Sequence, residues 1–562
     1  MKNTIELSTT YKIPEGELDK KTYTELCSYY FNGYEFRPRY QPQCIYSAFD
    51  AIENRKRCQF HIGCGGGKTA IFLTVILYNI IHGKISKVML SAPRLALLSQ
   101  HIEDIEKMIM FGKANNVIPQ DFVLDIVEIS SRTISNKQKD KIIKSGLEID
   151  DGVNEIGDEE EHFSHINYVH TSNVHAKIET YLKSKKPVIF VGCIPSVMTV
   201  FVEKLKHLNL ILDVLVNDEY HNLISQNKNK KPDEQLEALF GRFNTVMNFS
   251  ATPKKGKLLS SSDELFGTEV ARISTPDLKA FGYLKKHFKV FFITSGFTKS
   301  ISDNEKFLLE NNGIKDVQQF YKEMNIILSV IKKFLNDYPD KQPHIITATS
   351  RIAIISEIFR NEEFKQQLYS LIDESTSLFN MISGGTSSSI RKDAFDALQE
   401  ATKLMSTLTM QHSVMSEGIN VTNFSTCIIL RGMNEICLNQ FINRITRKND
   451  DYDTAEIYVQ MDGNTSEQYK KFIKEFLQKL LYFGLTMDDI ECELISLGTT
   501  GDDEPEEKTT YLSGQISFQK VTTSEQEIIN DIKLDNQVFE LRNKTPLKNM
   551  DEIRQFIFDN NL

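Results

Sequence analysis

The residues with the clearest chemistry lie at 60–77, Phe60-His-Ile-Gly-Cys-Gly-Gly-Gly-Lys68-Thr69-Ala-Ile-Phe-Leu-Thr-Val-Ile-Leu77. An apolar run enters a glycine-rich turn, Lys-Thr follows, and an apolar helical stretch comes next. Glycines without Cβ atoms let backbone N–H groups curl around phosphate oxygens, and the following helix adds the positive end of its dipole. In that geometry Gly63, Gly65, Gly66 and Gly67 form a cradle. Lys68 reaches the β- and γ-phosphates of a nucleotide such as ATP, and the Thr69 hydroxyl holds Mg²⁺. Ile62 stands where the pattern usually has a small residue.

A second set of residues is acidic. Leu208-Asn-Leu-Ile-Leu-Asp-Val-Leu-Val-Asn-Asp218-Glu219-Tyr220-His221 reads as an apolar strand ending in paired acids. Asp218 suits Mg²⁺ held through its water shell, and Glu219 suits a water that must be oriented and deprotonated. His221 links the nucleotide site to later elements. Downstream lies Thr245-Val-Met-Asn-Phe-Ser250-Ala251-Thr252-Pro253. Upstream, Phe36-Arg-Pro-Arg-Tyr-Gln41-Pro-Gln43 offers amides that donate to and accept from a purine edge at once. Gln41 is the first candidate and Gln43 the second. Lys87 to Gln100 reads as strand, turn and helix, which puts Pro93 and Arg94 at a strand's carboxyl end, where open α/β sheets bind ligands. Arg94 is a candidate for meeting a nucleic-acid phosphate.

Gly-Lys-Thr, Asp-Glu-Tyr-His and Ser-Ala-Thr in this order resemble the motifs of superfamily 2 helicases and translocases. The resemblance implies a nucleic-acid-dependent ATPase of two RecA-like domains, with Ser250 and Thr252 coupling ATP state to nucleic-acid grip. Arg272 to Leu284 resembles the stretch joining the domains. In the second half, His344-Ile-Ile-Thr-Ala-Thr349-Ser350-Arg351 places Thr349 and Ser350 where the family contacts the sugar–phosphate backbone. Leu408 to Val421 resembles the fifth motif through Glu417-Gly418-Ile-Asn420, with Gly418 assigned to the nucleotide. His412 stands where the family usually has Thr, and Ser413 beside it carries the hydroxyl; both are assigned to the nucleic-acid backbone. Gln440-Phe-Ile-Asn443-Arg444-Ile-Thr-Arg447 resembles the sixth motif, with Asn443 replacing the usual Gly. Two arginines three apart share one helical face, and planar guanidinium suits the charge on a transferring phosphoryl group. Arg447 is therefore the expected arginine finger, supported by Arg444 and Gln440.

The Arg-x-Tyr-Gln-like start and the Glu-Gly-Ile-Asn-Val element most resemble the DNA-translocating branch, which includes phage recombination helicases and restriction-enzyme motors. The RNA-directed DEAD-box branch has Asp where this chain has His221. The implied activity is DNA-directed, 3′ to 5′. The rivals are a duplex translocase, an RNA-directed or transcription-associated motor, and a nucleic-acid-binding scaffold with a degenerate ATPase. Replication, recombination or transcription proteins are the partners such a motor would meet.

The expected fold class is α/β: two tandem RecA-like parallel-sheet domains with a helical N-terminal extension and a small C-terminal domain. Residues 1–38 form the extension, with Tyr23, Leu26, Cys27, Tyr30 and Phe31 at helical spacing. Residues 39–285 form the first domain, with a polar insertion at 113–185, and 286–460 the second. Residues 461–562 form a helical accessory region, in which Tyr469 to Leu481 make an amphipathic helix packed on the second domain. The net charge of −10 is concentrated, since 148–161 holds eight acids and 502–507 five; without those thirteen the chain carries +3. A basic groove is therefore compatible with the composition. No run of 18 apolar residues occurs, and the first residues lack a signal-peptide core, so a cytoplasmic, nucleoid or host-cytoplasmic location without membrane is expected. Eight scattered cysteines without a Cys-x-x-Cys pair point to a reducing compartment and away from zinc. Frequent Asn, Lys, Ile and Phe with no Trp fit an AT-rich genome, that of a phage, virus or other mobile element or of many cellular hosts.

Overall fold

The computed structural model describes residues 11–130, 163–170, 174–225, 232–251, 262–285, 287–295, 301–382, 397–398, 405–412, 424–433, 435–448, 452–461, 465–482, 485, 487–499 and 516–520. The chain divides into two compact units, Met1–Phe281 and Gly282–Leu562.

The first unit is built on an eight-stranded sheet in the order β4-β3-β5-β2-β6-β7-β1-β8. The strands are β1 (Arg57–Ile62), β2 (Lys87–Ala92), β3 (Leu124–Ile129), β4 (Ile166–Val169), β5 (Val188–Cys193), β6 (Leu212–Asp218), β7 (Phe243–Ser250) and β8 (Thr268–Ile273). All their pairings are parallel. Central strands such as β2 and β5 are buried at every position, as a parallel sheet covered on both faces requires. Helices α1 (Lys20–Cys27), α2 (Gln41–Glu53), α3 (Lys68–Ile81), α4 (Leu95–Ala114) and α5 (Val174–Lys183) cover it. The Asp19 carboxylate caps α1 by accepting from Thr22 N at 2.9 Å. Tyr30 then ties this N-terminal segment to α3, its hydroxyl 2.8 Å from Thr74 Oγ1 and 3.2 Å from the Ala70 carbonyl.

Residues 113–185 are not a plain insertion. The span contributes β3, β4 and α5 to the sheet domain. Polar composition hides β3 because Glu128 is an acid buried within a strand, satisfied by hydroxyl donors from Ser130 and Tyr168. The acidic run at 148–161 lies outside the described residues.

The second unit carries another eight-stranded sheet, ordered β11-β12-β10-β13-β14-β9-β15-β16. Its strands are β9 (His287–Ser295), β10 (His344–Ala348), β11 (Ser377–Ile382), β12 (Ser406–Gln411), β13 (Thr426–Ile429), β14 (Thr454–Gln460), β15 (Ile490–Thr499) and β16 (Ile516–Lys520). Pairing is parallel except between β15 and β16. Helices α6 (Val317–Asp337), α7 (Ile352–Arg360), α8 (Glu435–Ile442) and α9 (Ser466–Tyr482) accompany it. Ile473, Phe476, Leu477 and Leu480 of α9 join the core that includes Phe292 and Ile457.

The expected separate C-terminal domain does not stand apart among the described residues. β15 pairs with β9 from Ile490 to Leu497, so residues beyond 461 extend the second sheet. The alternation Glu491-Cys492-Glu493-Leu494 is the pattern of a half-buried strand, with Cys492 and Leu494 buried. None of the eight cysteines forms a disulfide within the chain. Among the described residues no helix is long and apolar enough to cross a membrane.

Phe249 on β7 stacks on Phe60 of β1 at 4.5 Å between ring centroids and meets Phe72 of α3 at 5.2 Å. Truncating Phe249→Ala removes the ring that joins the sheet to the helix after the glycine turn. Chemical denaturation should show a loss of about 3–5 kcal/mol.

Candidate nucleotide-binding site

Because the first sheet is parallel, its strands deliver their carboxyl ends to one edge. There β1 opens into the glycine turn, β7 ends at Ser250, β6 ends at Asp218 and β2 leads into Pro93 and Arg94. The turn is anchored by Gly63 N donating to the Ile273 carbonyl at 2.8 Å, and closed by Gly66 N donating to the Gly63 carbonyl at 2.9 Å. Gly67 is left-handed at φ +73°, and a Cβ there would meet Gln41 Nε2 at 2.4 Å. The left-handed backbone favours glycine at that position, and any side chain there would also have to displace the Gln41 amide.

Lys68 opens α3, and its Nζ lies 2.7 Å from Glu219 Oε1. The two side chains are only 11% and 15% exposed, so neither charge is well hydrated. Burial alone would lower the Lys68 pKa, but the Glu219 carboxylate, with Cys64 and Asp218 nearby, raises it instead. Burial alone would raise Glu219, yet Lys68 and His221 hold it well below the usual carboxylate range. The pair is thus fully ionised at neutral pH. Glu219 has a left-handed backbone, φ 49°, which places its side chain toward Lys68 at a conformational cost. Its N–H donates to Asp218 Oδ1 at 3.0 Å. His221 Nδ1 lies 2.9 Å from Ser250 Oγ and 3.3 Å from Glu219 Oε2. The sequence-derived Lys68, Asp218, Glu219, His221 and Ser250 therefore converge. Thr69 sits in the first turn of α3, half-buried, while Thr252 lies outside the described residues.

These residues fit a magnesium–nucleotide. The glycine turn leads directly into Lys68, whose buried ammonium already holds an anionic partner, and the oxygen donors Asp218 and Thr69 suit Mg²⁺ rather than a softer metal. The Gln41 amide, expected to read a purine, bonds to the chain in this structure. Its Nε2 donates to the Gly66 carbonyl at 3.2 Å and its Oε1 accepts from Arg37 N at 2.8 Å. Arg37 and Tyr40 join it, donating to the Gly65 and Gly66 carbonyls at 2.5 and 2.6 Å. The alternative, Gln43, has a buried Oε1 that makes no hydrogen bond.

Two sets of partners escaped the sequence reading. His101 of α4 is fully buried, with Nε2 3.1 Å from Asp218 Oδ2. His61, at the end of β1, links Tyr220 at 2.7 Å to Glu269 at 2.7 Å, and Tyr220 donates to Gln59 Oε1 at 2.8 Å. No local spacing marks either set, since each joins residues more than a hundred positions apart. Pro93 is buried and Arg94 exposed at the end of β2.

In the second unit, α8 ends at Ile442, so Arg444 and Arg447 do not share a helical face. Asn443 closes the helix by donating from Nδ2 to the Asn439 carbonyl at 2.8 Å and accepting from Thr446 at 3.2 Å. Arg444 lies in the turn beyond, and Arg447 bridges to Leu284. Gln440 is buried. Thr349 is also buried, its hydroxyl donating to the Gln411 carbonyl at 3.2 Å, and His412 Nδ1 lies 3.1 Å from the Thr349 carbonyl. Ser413 and Gly418 lie outside the described residues.

Ser350 donates to Glu323 of α6, which also accepts from Gln319 Nε2 at 2.9 Å. Burial pushes Glu323 up from 4.5 to about 7, with Asp316 adding to the rise and the hydrogen bonds from Ser350 and Gln319 opposing it. The folded state therefore keeps this proton longer than the unfolded chain does. The stability this contributes is present below pH 4.5 and is lost as pH rises to about 7. Glu323→Gln should remove that loss, so its melting temperature should gain on the native protein's across this window.

Residues 34–255 match the family model described as the type III restriction enzyme, res subunit. Among solved structures, the ATP-dependent type ISP restriction-modification enzyme LlaBIII bound to DNA is 14% identical, with TM-score 0.53 over 82% of this chain. The chain spans 31% of LlaBIII. Mss116p lacking its NTE and C-tail, bound to ssRNA and AMP-PNP, is 15% identical with TM-score 0.53, covering 98% of this chain and 89% of that one. DEAD-box helicase Mss116 bound to ssRNA and UDP-BeF is 14% identical with TM-score 0.52, covering 96% and 86%. No curated protein matches the chain. The family match falls in the first unit, and what the chain shares with these structures across its length is the fold, two tandem RecA-like parallel-sheet domains.

Proposed function

We propose that this chain is an ATP-driven, nucleic-acid-stimulated motor acting on DNA with 3′-to-5′ polarity. The observation that carries the reading is the meeting, at one sheet edge, of the glycine turn, the buried Lys68–Glu219 pair and Asp218. When a nucleoside triphosphate enters, its phosphates replace Glu219 as the anionic partner of Lys68. The released carboxylate is then available to orient a water and accept its proton. Asp218 and Thr69 would hold Mg²⁺, which would supply neutralisation of phosphate charge. His221 and Ser250 tie Glu219 to the segment after β7, which gives hydrolysis a route to the rest of the unit. Arg447 and Arg444 are the candidates for stabilising charge on the transferring phosphoryl group, a role carried by motif order. Arg94, exposed beyond β2, is the candidate nucleic-acid contact of the first unit.

The restriction-enzyme family match and the DNA-bound LlaBIII structure support DNA as the track. The ssRNA-bound Mss116 structures make RNA the alternative to test. A location in the cytoplasm or nucleoid, among replication, recombination or transcription proteins, follows from this reading.

Steady-state ATP hydrolysis should be measured at fixed salt with single-stranded DNA, duplex DNA, a branched junction and single-stranded RNA. Single-stranded or branched DNA is expected to stimulate strongly, and RNA alone doing so would replace DNA in the proposal. Glu219→Gln should lower kcat by about 10² or more while nucleotide still binds. Unchanged turnover in that variant would overturn the catalytic assignment.

A further inference from the structure

We propose that His101 is a positioning residue for Asp218, fixing the carboxylate that is to hold Mg²⁺. The inference rests on the nucleotide reading of the site and deepens it. His101 is fully buried, and its Nε2 donates to Asp218 Oδ2 at 3.1 Å. The other carboxylate oxygen, Oδ1, accepts the Glu219 N–H at 3.0 Å. One donor on each oxygen sets the plane of the carboxylate while leaving lone pairs for the water shell of a metal ion.

The surroundings argue against a packing role for this imidazole. Its Nδ1 is buried and makes no hydrogen bond. A lone pair stripped of water without a partner is costly, and an apolar residue would fill the same volume without that cost. The ring stands edge-on to Phe72 of α3 at 5.3 Å, so it is held between the helix that follows the glycine turn and the strand that ends in Asp218. Its own helix, α4, starts directly after Arg94, about two turns away. The same rigid element thus carries the candidate nucleic-acid contact at its start and the donor to the metal-holding carboxylate in its body.

The test uses the full chain and a fluorescent ATP analogue, titrated at increasing Mg²⁺, with melting curves recorded for each variant. His101→Leu keeps the volume and removes the donor. It should raise the Mg²⁺ needed for half-maximal tight binding by about 10-fold, the usual scale for losing a partner of a metal ligand. Binding without Mg²⁺ should be unchanged. His101→Gln, which retains an N–H of similar reach, should restore most of the Mg²⁺ dependence. Should His101→Leu fail to fold, His101→Gln compared with the shorter His101→Asn makes the same distinction. A native Mg²⁺ dependence in His101→Leu, or equal shifts in the Leu and Gln variants, overturns the inference alone. Failure of the native protein to bind the analogue overturns the nucleotide reading, and the inference with it.

Discussion

The contact on which the site depends is the ion pair between Lys68 and Glu219. Each side chain is withdrawn from water, and each keeps its charge because the other is 2.7 Å away. Removing one partner of such a pair leaves an uncompensated buried charge, at a typical cost of about 3–5 kcal/mol. The pair also explains why Glu219 tolerates a left-handed backbone, a conformation worth about 1–3 kcal/mol of strain outside glycine. A conventional extended residue at the end of β6 would carry its side chain in another direction. The exchange of one anion for another at Lys68 is then a change of partner, not the creation of a new buried charge. In the proposed reading an entering phosphate would therefore find the Lys68 charge already desolvated, and the carboxylate it displaced would be freed at the same moment.

Beneath the pair lies a second polar network. Gln59, Tyr220, His61, Glu269 and Arg272 form a connected chain from β1 to the end of β6 and across to β8. Burial would raise Glu269, but Arg272 and His61 draw it down to about 2, so it stays a carboxylate. Tyr220 is the third residue of Asp-Glu-Tyr-His, and His61 stands two residues before Gly63. The network therefore fixes the acidic strand end against the entrance of the glycine turn. Connected, satisfied polar groups of this kind hold geometry more tightly than apolar packing does, because each displacement breaks a directional bond.

The candidate residues legible in the sequence, which the structure brings together, are those whose proposed chemistry needs particular residue types in a row. A glycine run before Lys-Thr, or paired acids after an apolar strand, has few other physical uses. The sequence did not disclose His101, because a histidine on an amphipathic helix looks like any partly polar position, and its partner Asp218 is remote in the chain. Periodicity also misled in one place. Arg444 and Arg447 have helical spacing, but the Asn443 side chain turns back on Asn439 and ends the helix before either. The strands β3 and β15 were hidden by the same effect, acids at alternate or buried positions that lower the mean apolarity without breaking a two-residue period.

Gln41 makes bonds that its segment alone does not suggest. The amide was expected to face a purine, yet it braces the glycine turn together with Arg37 and Tyr40. The Gly66 carbonyl accepts from both Tyr40 and Gln41. A trans peptide is planar and carries its N–H opposite its carbonyl. Holding that carbonyl toward α2 therefore turns the Gly67 N–H away from α2. A free glycine-rich loop would sample many orientations and lose that freedom on binding an anion. Here the loss is met during folding, by three side chains whose donors are all directed at loop carbonyls. The residues before the glycine turn would thus act on the proposed phosphate binding through the backbone, by fixing in advance the direction of the N–H groups that would meet it.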